Sequence, residues 1–374
     1  MVSALSSRAS AEDTTGLKYL VTGGAGFIGC NAARRWMERG HDVIVLDDLS
    51  RRGADSNLEW LRGRGRFSFE RVDIRDAAAL DAALARHPDT QVILHLAAQV
   101  AVTTSVTEPR HDFEVNALGT FNLLESARRH APSAAFLYAS TNKVYGGLEH
   151  VGVEQRNGRY AFRDSPGGIS ENEPLDFHSP YGCSKGAADQ YVRDYARIYG
   201  LRTVVFRQSC IYGWRQFGVE DQGWVAWFTI ASVTGKPVTI YGDGRQVRDL
   251  LFVDDLCEAY DAAVERIERA SGQVFNLGGG PDNTLSLLEL ESTWTASRAD
   301  PSVRRSPRGA LGTSRSSSPT CRVPPRRSAG APGPASPRVS RSSPPGSRKI
   351  EPSSAEAIPR VWGGVFRGRP QSGM

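Results

Sequence analysis

The sequence predicts an α/β protein built on a doubly wound parallel sheet, and two patterns carry this prediction. Residues 18–22 run directly into GGAGFIG and then into an amphipathic segment that Gly40 ends, which is typical of a strand, a glycine turn and a helix. Short β-rich segments then alternate with helical segments as far as Arg207. Because such alternation produces a parallel sheet covered on both faces, we expect a Rossmann-type fold.

The elements suggest an order of domains along the chain. Helical segments such as 77–85 and 120–129 separate the β-rich segments, which are 43–46, 67–72, 92–96, 136–139 and 203–207. We expect a disordered N-terminus over 1–17 and a nucleotide-binding domain over 18–207. The alternation is lost beyond it, so we expect a smaller substrate-binding lobe over 208–290, interleaved with the core and truncated at its end.

Composition changes abruptly after residue 290. Residues 291–374 contain 17 Ser, 14 Arg and 13 Pro but only 9 Leu, Ile, Val and Phe together, too few for a core. This tail carries 15 Lys and Arg against 4 Asp and Glu, a net charge of +11, whereas the whole chain carries +5 and residues 1–290 therefore −6. We interpret the tail as low-complexity sequence, disordered or frameshifted, and expect no nucleic-acid groove in the folded part.

The five cysteines are scattered without CxxC spacing or histidine clusters, which argues against a zinc site and a disulfide framework. We therefore expect no metal and a reducing, cytoplasmic setting. The N-terminal residues lack the apolar segment of a signal peptide, and no stretch approaches the roughly 18 apolar residues of a membrane helix. We expect no membrane association.

The glycine turn predicts a dinucleotide site. Gly23, Gly26 and Gly29 would allow a tight turn, close approach of the backbone to a pyrophosphate, and close packing of helix on strand. Asp47 lies about 20 residues further on, where it would bond the adenosine ribose hydroxyls. Its charge would repel a ribose phosphate and favours NAD over NADP, although the arginine pair that follows weakens this preference. A purely structural turn is the alternative.

A second group of residues predicts acid-base chemistry. Tyr181 and Lys185 in SPYGCSK are four residues apart and would share one helix face. The ammonium group would lower a phenol pKa that starts near 10, so that the tyrosine becomes a base for a sugar hydroxyl. Thr141 in STNKVYG would hydrogen-bond the reacting oxygen. A surface Tyr and Lys are the alternative, because YxxxK is a common pattern.

Taken together, these motifs over residues 18–290 resemble the extended short-chain dehydrogenase/reductase family of NAD-dependent epimerases and dehydratases. The resemblance implies NAD as cofactor and acid-base roles in hydride transfer for Thr141, Tyr181 and Lys185. It also implies cofactor contacts at Tyr181, Lys185, Phe27 and Ile28. Further cofactor contacts, with packing as the alternative, are implied at Asp73, Ile74, Ala97, Ala98 and Asn116.

The residues after Thr141 indicate which reaction to expect. Similar dehydratases have an acidic residue there, but this chain has Asn142 and Lys143, and neither is a carboxylic acid that could protonate a leaving hydroxyl. Reversible oxidation of a sugar hydroxyl to a ketone, with reduction on the other face, is the chemistry that remains. We therefore expect a nucleotide-sugar epimerase, an isomerase, with a 4-epimerase as the alternative.

Longer strings, such as LDFHSPYGCSKGAADQY and WRQFGVEDQGWVAWF, are similar to 2-epimerases of this family that act on CDP-linked dideoxyhexoses. This similarity implies such a substrate, a homo-oligomer (dimer or tetramer) and a place in lipopolysaccharide O-antigen biosynthesis. It also implies that Arg248 pairs the substrate diphosphate, which suits a guanidinium. Further substrate contacts are expected at Thr141 and Asn142, and, with ordinary loop or surface groups as the alternative, at His178, Arg215, Gln216 and Gln222.

The tail leaves two other hypotheses open. Relatives continue after the region matching LSLLEL with a mixed-charge helical segment that contacts the nucleotide, and the tail replaces this segment. The chain could therefore be a catalytically impaired NAD-binding protein. It could also be a basic-tailed nucleic-acid binder, which would show a salt-dependent affinity that deletion of residues 291–374 abolishes.

Overall fold

The computed structural model describes residues 16–220, 222–297, 303–306, 316–318 and 321–322. Nearly all of the predicted disordered N-terminus and most of the predicted tail lie outside these residues. The helix that begins at Leu287 ends at Ser297, so the boundary predicted at residue 290 falls inside a helix. Residues 291–297 contain neither Gly nor Pro, the residues that most often end a helix. The average composition of residues 291–374 did not show that their first seven residues could continue the helix.

The strands are β1 Lys18–Thr22, β2 Asp42–Asp47, β3 Ser68–Arg71, β4 Val92–His95, β5 Ala135–Thr141, β6 Val153–Arg156, β7 Arg159–Phe162, β8 Arg202–Gln208, β9 Cys210–Tyr212, β10 Val238–Tyr241, β11 Val247–Phe252, β12 Val274–Leu277, β13 Thr284–Ser286, β14 Val303–Ser306, β15 Ser316–Ser318 and β16 Cys321–Arg322. The helices are α1 Phe27–Glu38, α2 Ala54–Arg62, α3 Ala77–Ala85, α4 Val102–Thr107, α5 Pro109–Phe113, α6 Gly119–His130, α7 Ser179–Tyr199, α8 Trp224–Thr234, α9 Val253–Glu265, α10 Ile267–Ala270 and α11 Leu287–Ser297. A π-helical turn, Glu114–Leu118, joins α5 to α6, and a 3₁₀ turn, Asn142–Tyr145, follows β5.

Within the described residues, seven parallel strands form the main sheet in the order β12-β8-β5-β4-β1-β2-β3. The chain moves outward from β1 to β3 and then crosses back to β4, so the order reverses between β1 and β4. Ligands of such sheets bind in the crevice at this reversal, beyond the carboxyl ends of the strands. The predicted doubly wound parallel sheet is confirmed.

Residues 208–290 contribute to two layers. β12 pairs with β8 at the edge of the main sheet, and α9 packs on α1, where the Asp261 carboxylate accepts hydrogen bonds of 2.7–2.8 Å from Arg35, Trp36 and Arg39. Three other strands of this segment form a smaller sheet in which β11 lies between β9 and β13, whereas β10 pairs with β14. An apolar cluster that includes Phe228 and Leu290 packs beside it. Residues 208–290 thus complete the main sheet through β12, and the predicted division into a cofactor domain and a lobe stays a prediction.

None of the helices in the described part of the chain combines the length and the apolar character needed to cross a membrane. Within the same residues, no group of His, Cys, Asp and Glu side chains brings three potential metal ligands together.

A buried ion pair attaches α7 to the sheet. Arg207 on β8 donates from Nε and Nη2 to the two carboxylate oxygens of Asp189 at 2.9 and 3.0 Å, and the side chains are 2% and 0% exposed. Ser140 Oγ on β5 donates to the same carboxylate at 2.7 Å. Gln190 Nε2 adds a fourth bond at 2.8 Å, so each carboxylate oxygen accepts two hydrogen bonds, which is the condition under which a buried pair is tolerated.

Asp189→Ala should lower the free energy of unfolding by about 3–5 kcal/mol, because it leaves the Arg207 guanidinium buried without its counter-charge. Asp194→Ala is the matched control, since it removes a solvent-exposed ion pair with Arg197 on the same helix and should cost about 0–1 kcal/mol. Urea denaturation measures both variants. Equal losses would show that burial does not govern the strength of the Asp189 contact.

Candidate active site

A cleft of about 620 Å³ lies beyond the carboxyl ends of the parallel strands. The predicted site residues that line it are Gly23, Gly26, Phe27, Ile28, Gly29, Asp47, Asp73, Ile74, Ala97, Ala98, Tyr181, Lys185, Arg215, Gln216 and Gln222. The predicted residues outside its wall are Asn116, Thr141, Asn142, His178 and Arg248. The position of the cleft is the one that the strand reversal predicts.

The glycine turn between β1 and α1 has no room for side chains. Gly23 adopts a φ of +67°, and a Cβ there would lie 2.7 Å from Ala97 N. A Cβ on Gly29 would lie 2.3 Å from the carbonyl oxygen of Gly23. The tight turn leaves the N-terminus of α1 at the cleft wall, where backbone N–H groups and the helix dipole favour a bound phosphate.

Asp47 ends β2, and two backbone N–H groups fix its carboxylate. Ala25 donates to Oδ2 at 3.0 Å and Leu49 donates to Oδ1 at 2.8 Å. Burial raises the pKa of Asp47, and these two hydrogen bonds oppose the rise. Each oxygen keeps a further lone pair, so the fixed carboxylate can accept hydrogen bonds from the two hydroxyls of a ribose.

Asp73 and Ile74 follow β3 and line the cleft. The Arg75 guanidinium donates hydrogen bonds of 2.6–3.0 Å to the Asp73 carboxylate and holds the pKa of Asp73 below its ordinary value. Ile74 is buried, and a Cβ on Gly119 would lie 2.6 Å from its Cδ1. This part of the wall therefore combines an apolar surface with a fixed carboxylate, a combination that suits a flat heterocyclic base.

A buried histidine, which the sequence reasoning missed, connects the cleft wall to the interior. His95 Nδ1 lies 2.7 Å from Thr22 Oγ1, and His95 Nε2 lies 2.9 Å from Thr120 Oγ1. Because Thr120 donates its hydroxyl hydrogen to Asn116 O at 2.6 Å, it accepts from Nε2, and Nδ1 accepts from Thr22. Burial lowers the pKa of His95 to about 3, so the ring is neutral. Ala97 N donates to Thr22 Oγ1 at 3.3 Å, and the chain of bonds thus fixes the backbone at Ala97.

The structure brings the two predicted reacting hydroxyls together. Tyr181 lies in the first turn of α7, Thr141 is the last residue of β5, and the Thr141 side chain lies near enough to the phenol to lower its pKa. Both residues are 8% exposed. The end of the sheet and the beginning of α7 therefore meet at one point, and this point borders the cleft.

The surroundings of Tyr181 differ from the expectation in one respect. The pKa of Tyr181 is raised to about 12, mainly by burial and also by Asp112, while Thr141 and Arg51 oppose the rise. The prediction that Lys185 lowers this pKa below its ordinary value is wrong for the protein side chains by themselves. The reason is that removing a phenolate from water costs more free energy than its interactions with the neighbouring groups provide.

Lys185 lies one turn after Tyr181 and is 3% exposed. Its Nζ donates to Ala139 O at 2.6 Å and lies 4.3 Å from the centroid of the Tyr138 ring. Burial lowers the pKa of Lys185 to about 7, although Asp189 and Asp112 oppose this. A substantial fraction of Lys185 is therefore uncharged at neutral pH.

Asn116 lies behind the cleft wall. Its Nδ2 lies 3.0 Å from Gln99 O, 3.1 Å from Asp112 Oδ1 and 3.2 Å from Ser184 Oγ. Asp112, which the sequence reasoning missed, also accepts from Ser184 Oγ at 2.5 Å. The amide hydrogens of Asn116 thus bond interior groups that join the Gln99 loop to α7, and its contact with the cofactor stays a prediction.

Arg215 and Gln222 line the cleft and bond to the segment that follows β2. Arg215 Nε donates to Asn57 Oδ1 at 2.9 Å, and Gln222 Oε1 accepts from the Arg51 guanidinium. Gln216 Nε2 donates to a backbone carbonyl 3.3 Å away. The segment before α8 is thereby tied to the segment after β2 across the mouth of the cleft.

The remaining predicted substrate residues lie outside the wall. His178 is half-exposed at the N-terminus of α7, with Nε2 2.9 Å from Asp176 Oδ2. Asn142 begins the 3₁₀ turn, and its Oδ1 lies 3.5 Å from Thr141 Oγ1. Arg248 is buried in β11, and its Nη1 donates to the preceding backbone carbonyl at 2.9 Å. Their roles in substrate binding stay predictions.

Comparison with known proteins agrees with this geometry. The model of the NAD dependent epimerase/dehydratase family matches residues 19–278. The chain belongs to this family. CDP-paratose 2-epimerase from Salmonella typhi is 49% identical over 280 residues, which cover 73% of this chain and 82% of that protein.

Solved structures of the same family superpose on this chain. A UDP-glucose 4-epimerase from Thermotoga maritima with UDP-glucose has a TM-score of 0.67 and 31% identity, covering 79% of this chain and 88% of that one. The UDP-glucose 4-epimerase of Thermus thermophilus in complex with NAD has a TM-score of 0.64 and 32% identity, covering 79% and 89%. The predicted cofactor, NAD, is confirmed, and the glycine turn and Asp47 are the features of this cleft that fit it.

Gly29→Ala should weaken NAD binding about tenfold or more, because the new Cβ overlaps the Gly23 carbonyl and overpacking of this kind costs about 1–3 kcal/mol. Gly63→Ala is the control, since its Cβ would meet only an ordinary contact at 3.6 Å. NAD released on denaturation of the purified variants measures the effect. Full NAD content in Gly29→Ala would show that the turn does not carry the cofactor.

Proposed function

We propose that this protein is a nucleotide-sugar 2-epimerase whose substrate is CDP-paratose and whose product is CDP-tyvelose, in the pathway to the lipopolysaccharide O-antigen. The observation that carries the proposal is the Thr141–Tyr181 hydroxyl pair beside a cleft with the glycine turn of an NAD enzyme. The choice of substrate is supported by the 49% identity to CDP-paratose 2-epimerase.

In the proposed reaction, Tyr181 is the acid-base group. Its phenolate form would take the proton of the sugar hydroxyl as that carbon becomes a ketone, and the resulting phenol would return the proton after the sugar presents its other face. Thr141 would donate a hydrogen bond to the same oxygen and hold it at the phenol. Bound NAD supplies a hydride acceptor that later returns the hydride, and a positive charge that favours the phenolate.

Lys185 and Asn142 bear on which reaction the site can carry out. Ala139 O fixes the Lys185 Nζ one helical turn from the phenol. Asn142 occupies the position beside Thr141 at which a carboxylic acid would be needed for elimination of water. The site therefore favours epimerisation over dehydration.

Tyr181→Phe should lower kcat about 10²–10⁴-fold, because it removes the proton acceptor while preserving the ring. Its NAD content should remain that of the parent. Tyr199→Phe, at an exposed position on the same helix, is the control and should leave kcat unchanged. A Tyr181→Phe variant with normal turnover would eliminate the proposed base.

Turnover of CDP-paratose in D₂O tests the reaction itself. The expected product is CDP-tyvelose without deuterium at the inverted carbon, because the hydrogen stays in the closed site, and NMR measures both the inversion and the label. UDP-glucose serves as the second substrate. Conversion of UDP-glucose alone would replace the 2-epimerase by a 4-epimerase, and bound NAD without either conversion would identify an impaired protein.

We further propose a homodimer formed by the helices on one face. Exposed apolar side chains, each 39–65% accessible, lie on α5, the π-helical turn, α6 and α7: Phe113, Leu118, Phe121, Tyr191 and Ile198. The rings of Phe121 and Tyr191 meet edge to face at 5.8 Å. An apolar face of this kind suits a second copy of the chain. The proposed location is the reducing cytoplasm, which the free cysteines Cys30, Cys183, Cys210 and Cys257 fit.

Phe121→Asp should raise the dissociation constant of this dimer about tenfold or more, because a charge would be buried in the apolar contact. Val233→Asp is the control, since it places the same charge at an exposed apolar position on α8. Analytical ultracentrifugation gives both constants. Equal constants for the two variants would move the interface elsewhere.

A further inference from the structure

We propose that Tyr145 is a positioning residue for the reaction, because its buried phenol fixes the 3₁₀ turn that orients the hydroxyl of Thr141. Tyr145 ends this turn, and Thr141 is the residue from which the turn begins. The inference rests on the proposed role of Thr141 in holding the sugar oxygen, and it assigns to Tyr145 a function that acts through Thr141.

The hydroxyl of Thr141 is part of the turn. Its Oγ1 accepts a hydrogen bond from Lys143 N at 3.2 Å, and Gly146 N donates to Lys143 O at 3.1 Å at the end of the turn. A bond from a backbone N–H fixes one side of a hydroxyl and so restricts the directions in which its hydrogen can point. The orientation of the Thr141 hydroxyl therefore depends on where the turn holds the Lys143 amide.

Tyr145 holds the other end of the turn through its own hydroxyl. Arg207 Nη1 donates to Tyr145 Oη at 2.9 Å, and Tyr145 Oη donates to Asn276 Oδ1 at 2.7 Å. These roles follow because a guanidinium can only donate. Burial raises the pKa of Tyr145, so the phenol keeps its hydrogen for Asn276. The Asn276 side chain is itself held, since its Nδ2 donates to Ile169 O at 2.8 Å.

Arg207 connects this end of the turn to the helix that carries the proposed base. Besides Tyr145, its guanidinium bonds both carboxylate oxygens of Asp189 on α7, the helix on which Tyr181 also lies. One cation on β8 thus holds the helix of Tyr181 and the turn of Thr141 in a common position. Because Arg207 and Tyr145 are each 2% exposed, bulk water is in no position to replace a bond that is lost.

Tyr145→Phe tests the proposal, because it removes one oxygen and leaves the ring in its apolar cluster with Val144 and Leu148. With CDP-paratose, kcat should fall about tenfold at unchanged KM, since a misplaced orienting group weakens the transition state and not ground-state binding. Tyr195→Phe is the matched control. Tyr195 is also buried and its hydroxyl donates to Glu125 at 2.8 Å, but it lies near the other end of α7, so its kcat should stay that of the parent.

The decisive measurement repeats Tyr145→Phe in a Thr141→Val background, which lacks the hydroxyl and keeps the β-branched shape. If Tyr145 acts through Thr141, the second substitution should lower kcat no further, because the two effects are not independent. A role confined to folding would lower kcat by the same factor in both backgrounds, and that result would overturn the proposal. A kcat loss in Tyr195→Phe equal to that in Tyr145→Phe would overturn it as well.

A second measurement requires neither substrate nor catalysis. Hydrogen–deuterium exchange, followed by mass spectrometry of peptides that span the turn, should be about tenfold faster at residues 142–146 in Tyr145→Phe, because the hydrogen bonds of the turn open more often. Exchange at the rate of the parent would contradict the inference. Faster exchange without conversion of any nucleotide sugar would locate the failure in the proposed function. If turnover is normal in Tyr145→Phe, the inference fails and the proposed function stands.

Discussion

The attachment of α7 to the carboxyl edge of the parallel sheet determines where the reacting groups stand. Asp189 is held by Arg207 on β8 and by Ser140 on β5, and one turn earlier Lys185 bonds the carbonyl of Ala139. These bonds fix the helix in rotation and in height. Tyr181, one turn earlier again, is thereby placed at the end of β5, where Thr141 meets it.

The same attachment explains why the pKa values of Tyr181 and Lys185 are shifted away from their charged forms. Holding α7 tightly against the sheet removes the phenol and the ammonium from water, and this moves the pKa of Tyr181 up and that of Lys185 down. Both shifts oppose the charged pair that acid-base chemistry uses. The positive charge of bound NAD would favour the phenolate and so offset the rise in the pKa of Tyr181.

The sequence predicted the parts of the site that local pattern determines. The spacing of Gly23, Gly26 and Gly29 specifies a turn, and the spacing of Tyr181 and Lys185 specifies one helix face, so both could be found without a structure. Non-local packing decided the rest. The sign of the Tyr181 pKa shift depends on burial by distant elements, and nothing near Asn116 in the sequence shows that its amide bonds Gln99 and Ser184.

The position of β12 has a consequence for how the chain reaches its native state. This strand completes the edge of the main sheet beside β8, yet it follows β8 by 65 residues of sequence. During synthesis on a ribosome, β8 remains an open edge until residue 277 has emerged, and open edges invite pairing with other chains. Residues 18–208 expressed alone would therefore leave the β8 edge open. A nascent chain that stops before β12 would expose the same edge and be prone to aggregate or to bind chaperones.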